Sequence, residues 1–183
     1  MGSLQSGMRT IDQWLASEET GESFSHCLCC QVPLVEIDAQ WLVTKEFARD
    51  ECVLEYAICQ PCRDRVTDQL SEESKEAVRN FLEKEIDWGE RMKEFMMFRD
   101  LVERFDSCIA CCAPRENVEG FGLSALFDSG GTIVAGPLPL IICQPCIVRM
   151  TAPLSTESRE VWMKFLADHF AGPPNDSGFS GLF

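Results

Sequence analysis

Apolar residues recur at helical spacing in four stretches of the chain, and we assign a helix cap to the residue before each of the first three. Thr10 precedes the first stretch, and a glutamine follows three residues later, which has the form of a capping box. Ser71 precedes the second, and the acidic residues after it favour the positive end of a helix dipole. Asp87 precedes the third, for which we predict a helix to about Phe105. The fourth predicted helix covers residues 156–170.

Two other stretches alternate between apolar and polar residues, which is typical of half-buried strands. Between residues 34 and 58 we predict two or three short strands, with a turn at residues 38–40. In the second half, the Asp-Ser-Gly-Gly run at residues 128–131 predicts a hairpin turn between strands 123–127 and 132–135. Helices and short strands are therefore mixed along the whole chain, which indicates an α+β fold.

This pattern occurs twice. Shifting the chain by 81 residues superposes apolar and cysteine positions of the first half on the second, and the shift becomes 84 after the middle loop. A fixed period of this kind indicates duplicated units. We therefore predict a first repeat at residues 10–86 and a second at residues 87–172, with flexible tails at residues 1–9 and 173–183. Matched pairs include Ile11 with Met92, Trp14 with Phe95, Leu70 with Leu154, Ser74 with Ser158 and Phe81 with Phe165.

Four Cys-x-x-Cys pairs fall at matching places in the two repeats. Two cysteines at this spacing can hold one face of a metal ion through a tight turn, and a second pair completes a tetrahedron. A repeat of this size supports only a modest apolar core, so a metal staple is physically reasonable. The predicted ligands are Cys27, Cys30, Cys59 and Cys62 in the first repeat and Cys108, Cys111, Cys143 and Cys146 in the second.

A cysteine knuckle, a hairpin and a second cysteine pair at the start of a helix together resemble the treble-clef class of zinc fingers. The resemblance rests on the cysteine pairs of each repeat and covers roughly residues 24–70 and 105–154. It implies two tandem zinc-stapled units, each with a short β-hairpin and flanking helices. Amides at the helix start would favour the negative charge of the thiolates.

The identity of the metal has alternatives. Four thiolates favour a structural zinc ion in each repeat, because no coordination position is left for water. Iron in a rubredoxin-like site is the main alternative, although such knuckles normally carry glycine after the second cysteine of each pair. In this chain the followers are Gln31, Arg63, Cys112 and Ile147. Iron–sulfur clusters and dithiol redox chemistry are further possibilities.

Three cysteines and both histidines lie outside this scheme. Cys52 is expected to be a small buried apolar residue. Cys29 and Cys112 adjoin predicted ligands, and either could replace one of them. His26 also adjoins a predicted ligand, but a surface position beside the metal site is the simpler expectation. His169 falls in the last predicted helix.

The composition bounds the possible partners. The net charge is -14 with a pI near 4.5, which disfavours nucleic acid, because such binders need clustered Lys and Arg to neutralise phosphates. No apolar run approaches the length of a membrane span, so no membrane partner is expected. The N-terminus shows no signal peptide, and eleven cysteines in such a chain favour a reducing compartment, namely the cytoplasm.

Signature motifs of common enzyme classes are not found in the sequence. We therefore expect a non-enzymatic protein-interaction or adaptor module with two structural zinc ions. The main alternative is a regulator that responds to redox state or metal through its thiols. A nucleic-acid-associated factor is a further, disfavoured alternative. A protein partner is expected at the apolar stretch Met92–Phe98 or at the C-terminal tail Gly178–Phe183. The sequence indicates neither the partner nor the oligomeric state.

Overall fold

The computed structural model describes residues 9–170. The predicted tails, except Arg9, and the last two residues of the predicted second repeat lie outside the described residues. Helices and strands are mixed along this part of the chain, as predicted for an α+β fold. Their bounds are α1 Ile11–Leu15, β1 Trp41–Ala48, β2 Glu51–Cys59, α2 Gln60–Thr67, α3 Glu72–Glu85, α4 Trp88–Met97, β3 Gly120–Phe127, β4 Leu140–Cys143, α5 Gln144–Thr151 and α6 Thr156–His169.

The strands of both repeats join in a single antiparallel sheet with the order β2-β1-β3-β4. The junction is the long pairing of β1 with β3, in which Thr44 lies opposite Ser124 near the middle. Aromatic pairs stack at both ends of this junction. Trp41 stacks on Phe127 with ring centroids 4.1 Å apart, and Phe47 stacks on Phe121 at 4.9 Å. Exchanging the two repeats leaves the strand order unchanged, so the sheet has an internal two-fold arrangement.

Two long helices, α3 and α6, pack together at their N-terminal ends through the same two-fold relation. Ser71 and Ser155 are their N-cap residues. The amide of Ser71 donates to Ser158 Oγ at 2.9 Å, and the amide of Ser155 donates to Ser74 Oγ at 3.0 Å. Each helix thus supplies the third-position side chain of the other helix's capping box, a role that is normally filled within one helix. The reciprocal contact resembles the interface of a two-fold dimer.

The larger apolar core joins the sheet to α3 and α6. Tyr56 of β2 meets the ring of Phe165 edge-on, with centroids 5.6 Å apart. Val78 and Trp162 belong to the same buried cluster. So do six cysteines, namely Cys27, Cys59, Cys62, Cys108, Cys143 and Cys146. Burial of aromatic side chains of this size contributes most of the stabilisation that a small core can supply. Six of the eight predicted ligand cysteines are therefore part of this core.

A second buried cluster lies under α1. The predicted capping box of Thr10 and Gln13 is present, and it directs Trp14 onto the rings of Phe47 and Phe121. Lys45 of β1 is fully buried below this helix, and its Nζ donates to the carbonyl oxygen of Ala16 at 2.6 Å and to Glu18 at 2.8 Å. The ion pair and the carbonyl contacts satisfy a charge that is otherwise costly to bury.

Three local predictions differ from the structure. The predicted helix from Asp87 to Phe105 ends at Met97, because Asp100 caps a separate 3-10 turn at Leu101–Phe105. Residues 34–36 form a 3-10 turn and not a strand. The turn at residues 128–131 is present, but the chain after it makes only an isolated bridge, and the strand that pairs with β3 is residues 140–143. No helix in the described range is long and apolar enough to cross a bilayer.

Candidate metal centres

The eight predicted ligands gather in two groups of four. In each group all four Sγ atoms lie within 4.8 Å of one another. The Sγ atoms of Cys30 and Cys59 are 4.0 Å apart, and those of Cys111 and Cys143 are 3.6 Å apart. Zinc–sulfur bonds of about 2.3 Å in a tetrahedron place the sulfurs about 3.8 Å apart. Each group therefore has the size that a single tetrahedral ion requires.

The first cysteine pair of each group lies in a tight knuckle. The residue after the pair, Gln31 or Cys112, has a left-handed backbone with φ of 58° or 61°. Its amide donates to the carbonyl oxygen of Cys27 or Cys108 at 3.0 Å, which closes the turn. Both pairs therefore point their sulfurs to one side although neither knuckle contains a glycine. The sequence analysis took the lack of glycine after these cysteine pairs as an argument against iron. That argument is weakened, because Gln31 and Cys112 adopt the left-handed conformation without being glycine.

The second cysteine pair of each group lies at the start of a helix. Cys59 and Cys143 are the N-cap residues of α2 and α5, and each is followed by Gln-Pro, with the proline in the first helical turn. Proline suits this position because its missing N–H would have no partner there. Cys62 and Cys146 then sit in the first turn, where the positive end of the helix dipole favours a thiolate.

In each group, a hydrogen bond from a backbone amide at the helix start to a cysteine sulfur connects the helix to the knuckle. The amide of Cys59 donates to Cys27 Sγ at 3.4 Å, and the amide of Cys143 donates to Cys108 Sγ at 3.3 Å. Three cysteines of each group are buried, while Cys30 and Cys111 face solvent. Each group therefore has a dry inner side and a single accessible edge.

Electrostatics favour a cation at the first group. A side-chain hydrogen bond with Cys29, together with backbone amides, lowers the pKa of Cys27 to about 3 despite burial. Burial raises the pKa of Cys59 and that of Cys62. In the second group, burial raises the pKa of Cys143 to about 11. Burial and neighbouring thiolates therefore oppose ionisation of all four thiols in the same group. A divalent cation among the sulfurs would offset their negative charge and allow all four to ionise.

The other residues singled out by the sequence lie outside both groups. His26 is exposed and hydrogen bonds through Nδ1 with Ser25 Oγ at 2.9 Å, and the ring of His169 rests 5.1 Å from that of Phe165. Cys112 is exposed, and Cys52 is half-buried with its Sγ 3.4 Å from the carbonyl oxygen of Leu54. Among residues 9–170, no histidine or carboxylate joins either group of sulfurs.

Three arginines near the groups were not predicted from the sequence. Arg65 donates from Nη2 to Cys62 Sγ at 2.9 Å. Its counterpart Arg149 follows the last cysteine of the second group at the same spacing, but it pairs with Glu85. An arginine thus occurs three residues after the last cysteine of each group, and this repeated spacing in the sequence could have pointed to these two arginines. Arg91, which contacts the second knuckle, has no such signal, because it comes from a helix earlier in the chain.

Comparisons with protein-family models, with curated proteins and with solved structures find no match for this chain. The fold and the two groups of sulfurs therefore carry the functional argument. They define an α+β chain with two four-cysteine clusters at metal-binding distance.

Proposed function

We propose that this chain is a non-enzymatic zinc protein that serves as a protein-interaction or adaptor module in a reducing compartment such as the cytoplasm. The observation that carries the proposal is the closure of both sulfur groups, with four Sγ atoms mutually within 4.8 Å. Four thiolates fill a tetrahedral zinc ion and leave no position for water or substrate, which is typical of a structural ion.

The residues present fit zinc in both groups. Cys27, Cys30, Cys59 and Cys62 would hold one ion, and Cys108, Cys111, Cys143 and Cys146 would hold the other. When bound, zinc supplies only a cross-link, which ties each knuckle to the helix that follows it in the chain. No disulfide joins any of the eleven cysteines, all of which are among the described residues, and this supports a compartment where thiols stay reduced.

The partner surface that we propose is the exposed end of α4. Within the stretch Met92–Phe98, Phe95 is buried in the core, whereas Met96 and Met97 expose 76% and 82% of their surface. Exposed neighbouring methionines form an adaptable apolar surface that suits a protein partner. The other partner candidate, Gly178–Phe183, lies outside the described residues. The net charge of -14 supports a protein partner over nucleic acid.

A capture experiment tests this surface. The immobilised full chain, a Met96→Ser/Met97→Ser variant and a Met163→Ser variant are compared for the proteins that each retains from a lysate. Met163 is a matched control, because it is an exposed methionine on a different helix, with 38% of its surface accessible. We expect the double variant to lose a specific partner that wild type and control keep. Equal retention by all three chains would contradict the assignment of this surface.

A further inference from the structure

A buried arginine on α4 donates hydrogen bonds to the second knuckle. Arg91 of α4 is only 7% exposed. Its Nε donates to the carbonyl oxygen of Ile109 at 3.0 Å, and its Nη2 donates to the carbonyl oxygen of Cys108 at 2.6 Å and to Cys112 Sγ at 3.0 Å. One planar guanidinium thus holds three acceptors of the turn that carries Cys108 and Cys111, which fixes the shape of the turn.

Among residues 9–170, no arginine makes equivalent contacts with the first knuckle. The position that corresponds to Arg91 in the first repeat is Thr10. The carbonyl oxygen of Leu28, which corresponds to that of Ile109, accepts instead from the exposed side chain of Gln31 at 2.7 Å. An exposed amide within the turn competes with water, whereas a buried guanidinium does not. The arginine of the first site, Arg65, contacts a ligand sulfur and not the knuckle backbone.

Arg91 also attaches α4 to the second metal site. Arg91 lies near the middle of α4, and its Nη1 pairs with Glu94 on the same helix at 2.6 Å. Phe95 anchors the same helix in the core, where the guanidinium of Arg104 lies 4.0 Å from the ring centroid. The exposed methionines follow directly after Phe95. The placement of this surface therefore depends on contacts that α4 makes with the second knuckle.

We propose that Arg91 is a positioning residue of the second metal site, and that it couples occupancy of this site to the order of α4. The inference rests on the proposed zinc ions. The guanidinium holds the knuckle in the shape that presents Cys108 and Cys111 to the ion, and its positive charge offsets the net negative charge of a four-thiolate zinc centre. Loss of the ion frees the knuckle, and α4 then loses the acceptors to which Arg91 is bound. In the part of the chain that the structure describes, no hydrogen bond or ion pair links the first knuckle to α4 in this way.

The test compares Arg91→Met with two controls in the full chain loaded with zinc. Glu94→Gln removes the ion pair with Arg91 but leaves its knuckle contacts, and Arg65→Met removes the arginine of the first site. Zinc release to a chromogenic chelator is followed in time, and hydrogen exchange is measured for the amides of residues 88–97. In Arg91→Met we expect one of the two ions to leave about 10- to 100-fold faster and the exchange of α4 to accelerate. Glu94→Gln should behave as wild type, and Arg65→Met should leave the exchange of α4 unchanged.

An Arg91→Lys variant keeps the charge but lacks the planar fork of donors that reaches three acceptors at once, so release of one ion should also be faster than in wild type. If Arg91→Met does not fold, this variant carries the test alone. Release of both ions at the wild-type rate in the Arg91 variants that fold would overturn the inference while leaving the proposed zinc ions intact. A wild-type chain that contains no zinc would overturn the proposed function and this inference with it.

Discussion

Replacing Cys59 with serine separates the role of the thiol as a ligand from its role in the fold. Cys59 is the N-cap of α2 and makes no side-chain capping bond. Serine is a preferred N-cap residue, so Cys59→Ser should leave α2 in place. The hydroxyl does not ionise near neutral pH, and the first group then retains three of its four sulfurs.

The size of the effect follows from the number of ligands. Structural zinc sites of this class bind with an apparent free energy of about 10–16 kcal/mol. An even share among four sulfurs gives about 3 kcal/mol for one of them, which corresponds to roughly 100-fold weaker binding. The first group should then lose its ion to a chelator under conditions in which the second group keeps its ion.

The assay is elemental analysis after dialysis against the chelator, and the matched control is Cys29→Ser in the same knuckle. Cys29 lies between two members of the first group but is not part of it. We expect one zinc ion per chain in Cys59→Ser and two in Cys29→Ser. Two ions in Cys59→Ser, or a single ion in Cys29→Ser, would refute the assignment of the ligands.

Two further predictions concern stability. Ser74→Ala should lower the free energy of unfolding in urea by about 1–3 kcal/mol, because the amide of Ser155 loses its acceptor, and Ser158→Ala should cost a similar amount. The exposed control Ser129→Ala should change it by less than about 0.5 kcal/mol, and an equally small effect at Ser74 would contradict the cross-capping. Burial raises the pKa of Cys52 from 9.0 to about 11, so the folded chain holds the thiol proton more tightly than the unfolded chain. The free energy of unfolding should therefore decrease as the pH rises from 9.0 to about 11. After solvent screening, wild type should lose about 1 kcal/mol relative to Cys52→Ala between pH 8 and 10.5, and no relative change would contradict the burial of this thiol.

The sequence predicted the features that depend on short spacings. The cysteine pairs and the helix caps follow from residues close together in the chain, and the structure gathers the eight cysteines as two groups. The capping box at Thr10 is present for the same reason. Spacing rules of this kind state which groups can reach one ion or one helix end, whatever the rest of the fold does.

The pairing of the two repeats could not be predicted in the same way. The sequence shows the match of Ser71 and Ser74 with Ser155 and Ser158, but it predicted a helix cap only for Ser71 and no hydrogen bond between the two helices. The pairing of β1 with β3 likewise depends on contacts between residues about 80 positions apart, which local patterns do not encode. The apolar face that each half would expose alone is covered by the other half.

The early end of α4 shows how a second capping signal interrupts a helical pattern. Apolar residues continue at helical spacing past Met97, which predicted a longer helix. Asp100 and Glu103 form a new capping box, and the turn that follows places Arg104 where its Nη1 reaches the carbonyl oxygens of Gly136 and Leu138 at 2.8 Å. Asp87 and Asp100 each cap the start of a separate helical segment, and apolar spacing alone does not show where the first segment ends.

The metal content of the purified full chain tests the central claim most directly. Elemental analysis combined with X-ray absorption at the zinc edge should show two zinc ions per chain, each with four sulfur neighbours at about 2.3 Å. Iron in place of zinc, fewer than two ions per chain, or nitrogen and oxygen in the coordination shell would contradict the account.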